Sequence, residues 1–468
     1  MPHPASLLEN ALHQQRLAFA AQSLPSAAQR REWLLQLGRQ LRAQRQALVE
    51  AISQDFGHRS ADETLLAELL PSLMGIRDAR RRLGRWMKPS RRHVGLAFQP
   101  ATARVMYQPL GVVGIIVPWN YPLFLAIGPL TGALAAGNRV MLKLSESTPA
   151  TGLLLKRLLA EIFPEDLVYV ALGDIETGVA FSRLPFDHLL FTGATSVGRQ
   201  VMRAAAENLV PVTLELGGKS PAIVSRSVPL HDAAERLVFG KTLNAGQTCV
   251  APDYILAPRE RVEALVGALR DTLQRLYPAH RETAGNPDRT SIINARQQAR
   301  LVGYLEDAAA KGARILPLQP EAGRAMPLTL LLEVSDDMQV MQEEIFGPLL
   351  PIVPYDDLDQ ALDWINRRAR PLALYYFGYD RDEQQQVLAR THSGGVCIND
   401  TLQHVAQDDL PFGGIGPSGM GHYHGREGFL TFSKAKAVLV KPRLNLARLM
   451  YPPYGGPLQR LVRWLLLR

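Results

Sequence analysis

The chain has little cysteine: two residues, Cys249 and Cys397, among 468. A disulfide scaffold is thereby excluded, and cysteines this sparse are core filler or chemistry in a reducing compartment. Internal repeats and low-complexity tracts are lacking too, which excludes solenoids and disordered stretches. No basic start followed by an apolar run opens the chain, so no cleavable signal is expected and the expected address is cytoplasmic. Lysine is scarce, nine against 43 arginines, a bias that carries no functional reading. The net charge is +8, but its excess is local: residues 77–92 hold eight cations against Asp78, and the last 28 residues hold six against none. Neither stretch carries a recognisable binding motif. Solvated faces explain them better than a nucleic-acid partner.

No hydrophobic run reads as a membrane span. From Val105 to Asn138 no residue is charged, 34 positions in all, long enough for a naive span. Pro109, Gly111, Pro118, Asn120, Pro122 and Pro129 break it into a short Val/Ile strand, a loop and a second apolar segment,. A buried parallel strand at 112–117 with a helix behind it is the soluble reading. What is present is ordinary globular composition, 47% hydrophobic and 21% charged. At about 150 residues per domain the length suggests two or three domains with ample core.

From residue 112 short apolar strands alternate with helical segments: 112–117, 140–144, 167–171, 187–192 and 212–216. After Gly217-Gly218 the alternation resumes, with strands expected at 254–256, 328–332, 349–354, 372–377 and 395–398. The fold class is therefore α/β, with two doubly wound parallel-sheet domains and chemistry expected in the cleft between them. Near the end, Gly455-Gly456 breaks the chain and Pro457 can start a helix. Leu458, Leu461, Val462, Leu465 and Leu466 follow at helical spacing, among Arg460, Arg463 and Arg468. Packing on the chain itself or on a partner subunit is the favoured reading, and contact with a membrane surface the sharper one.

Two glycine patterns have to be separated. Gly414-Ile-Gly416-Pro-Ser-Gly419 is a formal G-x-G-x-x-G, but it follows no strand, contains Pro417 and opens no apolar helix. It is a decoy for the dinucleotide fingerprint. Gly193-Ala-Thr-Ser196-Val-Gly198 instead stands between an expected strand and an expected helix, where free N–H groups and the positive dipole end meet an anion, so it is a pyrophosphate candidate or a structural turn. Gly218-Lys219-Ser220 ends like a P-loop, yet Thr213 occupies its first glycine position.

Cys249 lies in a small polar turn, Asn-Ala-Gly-Gln-Thr-Cys-Val, whereas Cys397 sits in an apolar run. The first is the candidate nucleophile and the second the filler. Glu215 stands inside the apolar strand Val212–Leu216, where a carboxylate is costly unless it is paired or kept as a base of raised pKa. Asn120, at the end of the first strand, can donate its amide to a developing oxyanion. His422-Tyr423-His424 lacks partnering ligands at metal spacing, so a structural role is expected and no metal.

These residues stand in six ordered motifs: Pro118-Trp119-Asn120-Tyr121-Pro122, Lys143-Leu-Ser-Glu146, Phe191-Thr-Gly-Ala-Thr-Ser-Val-Gly198, Leu214-Glu-Leu-Gly-Gly-Lys219, Gly246-Gln-Thr-Cys249 and Glu343-Glu-Ile-Phe-Gly-Pro348. Over nearly its whole length the chain resembles the aldehyde dehydrogenase superfamily. Gly246–Asp253 and Tyr423–Phe429 look like the class 3 branch, and Asn399–Thr401 with His404–Phe412 look most like its bacterial coniferyl aldehyde dehydrogenases. The resemblance implies NAD(P)-dependent oxidation of an aldehyde to a carboxylic acid, with NAD favoured and NADP possible.

The same resemblance implies Cys249 as the thiolate nucleophile, Glu215 as the base and Asn120, with the Cys249 N–H, as the oxyanion site. It implies Lys143 and Glu146 at the adenosine ribose, Glu344 with Phe346 at the nicotinamide half, and Trp119 among the cofactor-binding residues. Gly193, Ser196 and Gly198 would meet the pyrophosphate, and Tyr121, Phe124 and Leu125 would line the substrate tunnel. Leu144 departs from the family's usual Pro at that position. The implied division is a cofactor domain at 1–216, interrupted near 90–104 by a bridging hairpin, and a catalytic domain at 217–398. Residues 399–468 would return to the cofactor domain and add bridging strands and the terminal helix. A homodimer is implied, and coniferyl aldehyde or a related aromatic aldehyde is the expected substrate, with a medium or long aliphatic aldehyde as alternative. From outside the class, a cofactor-independent cysteine esterase or thioesterase and a silent scaffold remain as rivals.

Overall fold

A computed structural model of the chain describes residues 4–95, 98–278, 286–320, 324–445, 448 and 451–467. Residues 96–97 of the expected hairpin, Arg468 and the side chain of Leu466 lie outside the described set.

Residues 4–86 are mostly helical, a layer with no counterpart in the sequence-based expectations. Helices Pro4–Ala21, Ala27–Ala43 and Arg45–Phe56 lead into a continuous run made of Ala61–Thr64, a π-turn at Leu65–Leu69, and Leu70–Trp86. Local chemistry sets the ends: Ser26 accepts the Gln29 N–H at the start of the second helix, and Gly57 closes the third at φ +75°,.

Three sheets follow. Strands β1 (Ser90–Arg92) and β2 (Thr102–Pro109) pair antiparallel as a small bridging element. The first large sheet is built from β3 (Val112–Ile116), β4 (Arg139–Lys143), β5 (Val168–Ala171), β6 (His188–Gly193) and β7 (Val212–Leu216), all parallel. The second holds β8 (Pro221–Val224), β9 (Tyr254–Pro258), β10 (Arg314–Pro317), β11 (Thr329–Leu332), β12 (Leu349–Tyr355), β13 (Ala373–Phe377) and β14 (Gly395–Ile398), in the order β10-β11-β12-β9-β8-β13-β14. Only β10 runs antiparallel there. The chain then returns: β15 (Gly419–Met420) pairs antiparallel with β7, and β16 (Ser433–Val440) pairs with β2. The architecture is the expected α/β arrangement of two doubly wound sheets with a small bridging sheet.

In the first sheet the order β15-β7-β6-β3-β4-β5 reverses direction between β3 and β6. The crevice beyond the carboxyl ends of those two strands is where such sheets take ligands. It is bordered by the loop carrying Asn120 and by the turn at Gly193. The uncharged run of 105–138 resolves into part of β2, buried β3 and the almost wholly buried helix Phe124–Ala136. Among the described residues no helix is long and apolar enough to cross a membrane.

Most expected strands appear with ends displaced by one or two residues, but β8 and β10 were not expected. Strand β8 follows directly on Gly217-Gly218-Lys-Ser, punctuation that reads as a connection. Strand β10, Arg-Ile-Leu-Pro, is a short edge strand with a charge and a proline,. The terminal helix forms at Pro457–Leu466 but leaves Leu458, Leu461 and Leu465 about half exposed, so its apolar face is not buried on this chain.

Candidate active site

The helix Leu230–Thr242 ends in a tight turn in which Asn244, Ala245 and Gly246 all have left-handed backbones, at φ +52°, +53° and +72°. Two non-glycine residues there cost about 1–2 kcal/mol each, so the turn has to be held. Asn244 donates through Nδ2 to the carbonyls of Asn120 at 2.9 Å and Gln247 at 3.2 Å. Gln247 donates to the carbonyls of Asn244 and Ser291 and accepts from the Ile293 N–H. At Gly246 a Cβ would stand 2.5 Å from the Gly347 carbonyl oxygen, which is why only glycine fits. The turn delivers Cys249, half-buried and free. Burial, then Glu344 and Glu215 nearby, push the thiol pKa up, against a smaller opposing effect of the Cys249 and Val250 backbone.

Glu215 sits on β7 opposite Thr192 of β6 on one side and Gly419 of β15 on the other. It is 2% exposed, and neither carboxylate oxygen has a hydrogen-bond partner. Burial alone raises its pKa well above the ordinary carboxylate range. The decoy glycine motif thus supplies the strand that covers Glu215, and its Pro417 carbonyl accepts from Thr195 Oγ1. The buried Tyr423 hydroxyl, also unpartnered, feels the charges of both Glu215 and Cys249. Asn120 is buried in the loop after β3 and donates through Nδ2 to the Gln247 carbonyl at 3.2 Å, two residues before Cys249. Beside it the Tyr121 hydroxyl bonds Thr248 Oγ1 at 2.8 Å. Cys249, Glu215 and Asn120 are therefore brought into one centre. Cys397, on the strand β14, is part-buried rather than deep in the core.

The residues expected at a dinucleotide lie along the same crevice. Helix Thr195–Ala206 starts directly after β6, and its N-cap, Ala194, supplies no side-chain cap, which leaves backbone donors for an anion,. Ser196 is exposed there, while Gly198 is buried against Leu216. Lys143, at the end of β4, is buried and donates to the carbonyls of Leu144 and Gly173, with Glu146 3.9 Å away and half exposed. Burial lowers its pKa. Leu144 uses the N–H that a proline would lack to bond the Ala171 carbonyl, so the departure at this position leaves the backbone pinned. Glu344 packs on Gly217, where a Cβ would stand 1.9 Å from its Oε2, and its buried Oε1 has no partner. Burial, then Asp253, raises Glu344 to about 8. Phe346 meets Trp119 edge-on at 5.3 Å. An exposed carboxylate at a strand end, an uncapped helix start and an orphaned carboxylate beside paired aromatics fit a dinucleotide. Lys219 of the rejected P-loop ending instead ties Asp253 to the Val340 and Glu343 carbonyls.

A cavity of about 600 Å³, counting its open mouth, is lined among others by Phe124, Trp86, Tyr423, His424 and Asp408; Cys249, Glu215 and Asn120 do not line it. Of the three expected tunnel residues, Phe124 lines it; Tyr121 and Leu125 are buried away from it. His424 stacks on Phe412, and burial lowers both His424 and His404 to about 4, leaving neutral rings with unpartnered nitrogens. Among the described residues no group of three His, Cys, Asp or Glu is arranged to hold a metal ion. Sequence reasoning missed Tyr423 as a site residue, together with Asn244 and the buried pair Arg59–Glu68. The polar Asn-Ala-Gly turn before Cys249 is a signal for the second of these; the ion pair leaves none.

Comparison with known proteins places this geometry. The model described as "Aldehyde dehydrogenase family" matches residues 4–438. A "Probable coniferyl aldehyde dehydrogenase" of Pseudomonas aeruginosa is 68% identical over 462 residues, 98% of this chain and 96% of the relative. The solved "Substrate bound state of Staphylococcus Aureus AldH" superposes with a TM-score of 0.92 at 39% identity, covering 98% of this chain and 99% of that one. The Mycobacterium tuberculosis aldehyde dehydrogenase complexed with NAD+ superposes with a TM-score of 0.85 at 31% identity, covering 94% of this chain and 92% of that one.

Proposed function

This chain belongs to the aldehyde dehydrogenase family, and on that premise we propose how its residues divide the oxidation of an aldehyde to a carboxylic acid with NAD(P). The observation that carries the assignment is a buried carboxylate, Glu215, with neither oxygen partnered, close enough to raise the pKa of a free cysteine. A carboxylate of raised pKa beside a thiol that resists ionisation is a base paired with its acid. Glu215 takes the proton from Cys249, whose sulfur bonds the aldehyde carbon. Asn120 keeps one Nδ2–H on the Gln247 carbonyl and offers the other, with the Cys249 N–H, to the oxyanion of the thiohemiacetal. Glu344, Phe346 and Trp119 would hold NAD(P), which would supply the hydride acceptor for the former aldehyde carbon. Glu215, having passed that first proton to solvent, then deprotonates the water that cleaves the thioester and returns this second proton to the departing Cys249 sulfur, so the acid leaves and the thiol is restored.

For the cofactor, Glu146 would take the adenosine ribose hydroxyls and disfavour a 2′-phosphate, so NAD is preferred over NADP. Lys143 would lie beside it, the start of the helix at Gly193, Ser196 and Gly198 would take the pyrophosphate, and Glu344, Phe346 and Trp119 would hold the nicotinamide half. We assign 1–216 to cofactor binding, 217–398 to the nucleophile, and the remainder to the return strands and terminal helix. A nucleophilic thiol fits a reducing, cytoplasmic setting.

For the substrate, coniferyl aldehyde or a related aromatic enal is favoured by the high identity to the Pseudomonas relative. A homodimer through an edge of the bridging sheet is the proposed assembly, and the exposed basic amphipathic terminal helix is a candidate for contact with a membrane surface,. The test is NADH and NADPH formation with coniferyl aldehyde, benzaldehyde, hexanal and a long-chain aldehyde. Highest kcat/KM on the aromatic enal is expected. Preference for the aliphatic aldehydes would overturn the substrate and keep the mechanism; ester cleavage with no cofactor reduction on any aldehyde would overturn both.

A further inference from the structure

Beneath the reacting centre lies a second set of charged groups that the chemistry above does not use. Arg59, between the third N-terminal helix and the run 61–86, and Glu68, in the π-turn Leu65–Leu69, form an ion pair at 2.7 Å with both side chains fully buried. A buried pair is a poor way to stabilise a fold, because apolar residues of the same volume do as well or better. Its bonds point elsewhere. Arg59 Nη1 also donates to the Asn120 carbonyl at 3.1 Å, while Glu68 Oε2 accepts the N–H groups of Leu123 and Phe124 at 2.8 and 3.0 Å. Those N–H groups open the helix Phe124–Ala136, whose own N-cap, Leu123, has no side chain able to accept them,. Glu68 is therefore an N-cap supplied from another helix, at the positive end of the dipole. One ion pair holds the Asn120 loop at its middle and at its far end.

The second side of the centre is held from the same helical run. Glu63 Oε2 accepts the Asn244 N–H at 3.1 Å and the Thr290 hydroxyl at 2.5 Å, fixing the left-handed turn before Cys249. The π-turn Leu65–Leu69, closing i to i+5, begins between the two carboxylates, so their relative direction is not that of five residues of regular α-helix,. Both carboxylates feel the charge of Arg59. The Arg59 guanidinium lies 5.0 Å from the Phe56 ring and 4.9 Å from the Tyr121 ring, and Tyr121 in turn bonds Thr248.

We propose that Arg59 and Glu68 are positioning residues that fix the Asn120 main chain so that its carboxamide is held toward Cys249. The proposal rests on reading Asn120 as the oxyanion donor. It is tested by a double-mutant cycle on the full chain with Glu68→Gln, Asn120→Ala and both together, reading kcat/KM for aldehyde, the dissociation constant for NAD and the melting temperature. Glu68→Gln should lower kcat/KM about 10-fold and leave NAD affinity within about twofold, and in the Asn120→Ala background it should cost less than about twofold. A merely structural role would cost the same factor in both backgrounds, and that result overturns the proposal. Should Glu68→Gln fail to fold, the same cycle with Arg59→Lys applies, since lysine keeps a charge for Glu68 but lacks the guanidinium whose Nη1 also reaches the Asn120 carbonyl,. Normal kcat/KM in Asn120→Ala alone would instead overturn the oxyanion reading, and the positioning role with it.

Discussion

Two regions of this molecule bury carboxylates and treat them in opposite ways. In the helical underlay, Glu68 is wholly buried, yet Arg59 and two backbone N–H groups compensate it. In the reacting centre, Glu215 is equally inaccessible and nothing compensates it. Burial raises both pKa values, but only at Glu68 do partners oppose the rise. A buried acid with every oxygen engaged is part of a frame; one held without partners keeps its lone pairs for a proton that arrives during the reaction. The difference teaches where to look for chemistry in such a fold: at the carboxylate the structure leaves unsatisfied.

The sharpest separation of the two regions comes from the nucleophile. Cys249→Ala should remove aldehyde oxidation and any ester cleavage together, a loss of about 10,000-fold or more. It should leave the melting temperature nearly unchanged, because the side chain is half-buried and bears none of the bonds that hold its turn. Retained oxidation in this variant would remove the reacting centre from where it has been drawn.

Next in size is Glu215→Gln. Losing the base should slow turnover about 100- to 10,000-fold, most strongly in thioester hydrolysis, so that a burst of NADH precedes a slow steady state. Rapid-mixing absorbance at the NADH band reads this directly. No burst and no rate loss would mean that the unpartnered carboxylate is a spectator, and the contrast with Glu68 would lose its meaning.

The two regions were also unequally legible in the sequence. Cys249 in a polar turn, Glu215 in an apolar strand and Asn120 after a strand each break a local pattern, and broken patterns can be read without coordinates. The parallel strands were legible for the same kind of reason, since short Val/Ile/Leu runs between turn residues leave few alternatives. The underlay was not. Arg59 and Glu68 are nine residues apart with no periodic relation, and in a stretch of helical composition both look like solvent-facing charges. Glu68 lies in a π-turn, which no residue type announces, and its backbone partners lie on a loop 55 residues further on. Strand β8 escaped because its neighbours are turn-formers, and β15 because two residues make no pattern. Tyr423 escaped because a tyrosine between histidines first invites a metal reading.

The smallest effect tests the comparison through stability. Glu215 has a folded-state pKa raised by burial above its unfolded value near 4.5. Between those two values the folded chain binds more protons than the unfolded one, so this group makes stability fall as pH rises through that window and contributes no further change above it. Glutamine at 215 cannot ionise. Glu215→Gln should therefore melt about 1–3 °C higher than the parent at pH 8, with the gap closing as pH falls toward 4.5. For Glu68→Gln the opposite sign is expected at pH 8, because there the charge has partners and its removal strands Arg59 in the interior. Melting curves of the three proteins across pH 5 to 8 decide it. Parallel shifts of the same sign for both variants would mean that the two carboxylates are solvated alike, and the distinction between frame and reacting centre would have no energetic basis.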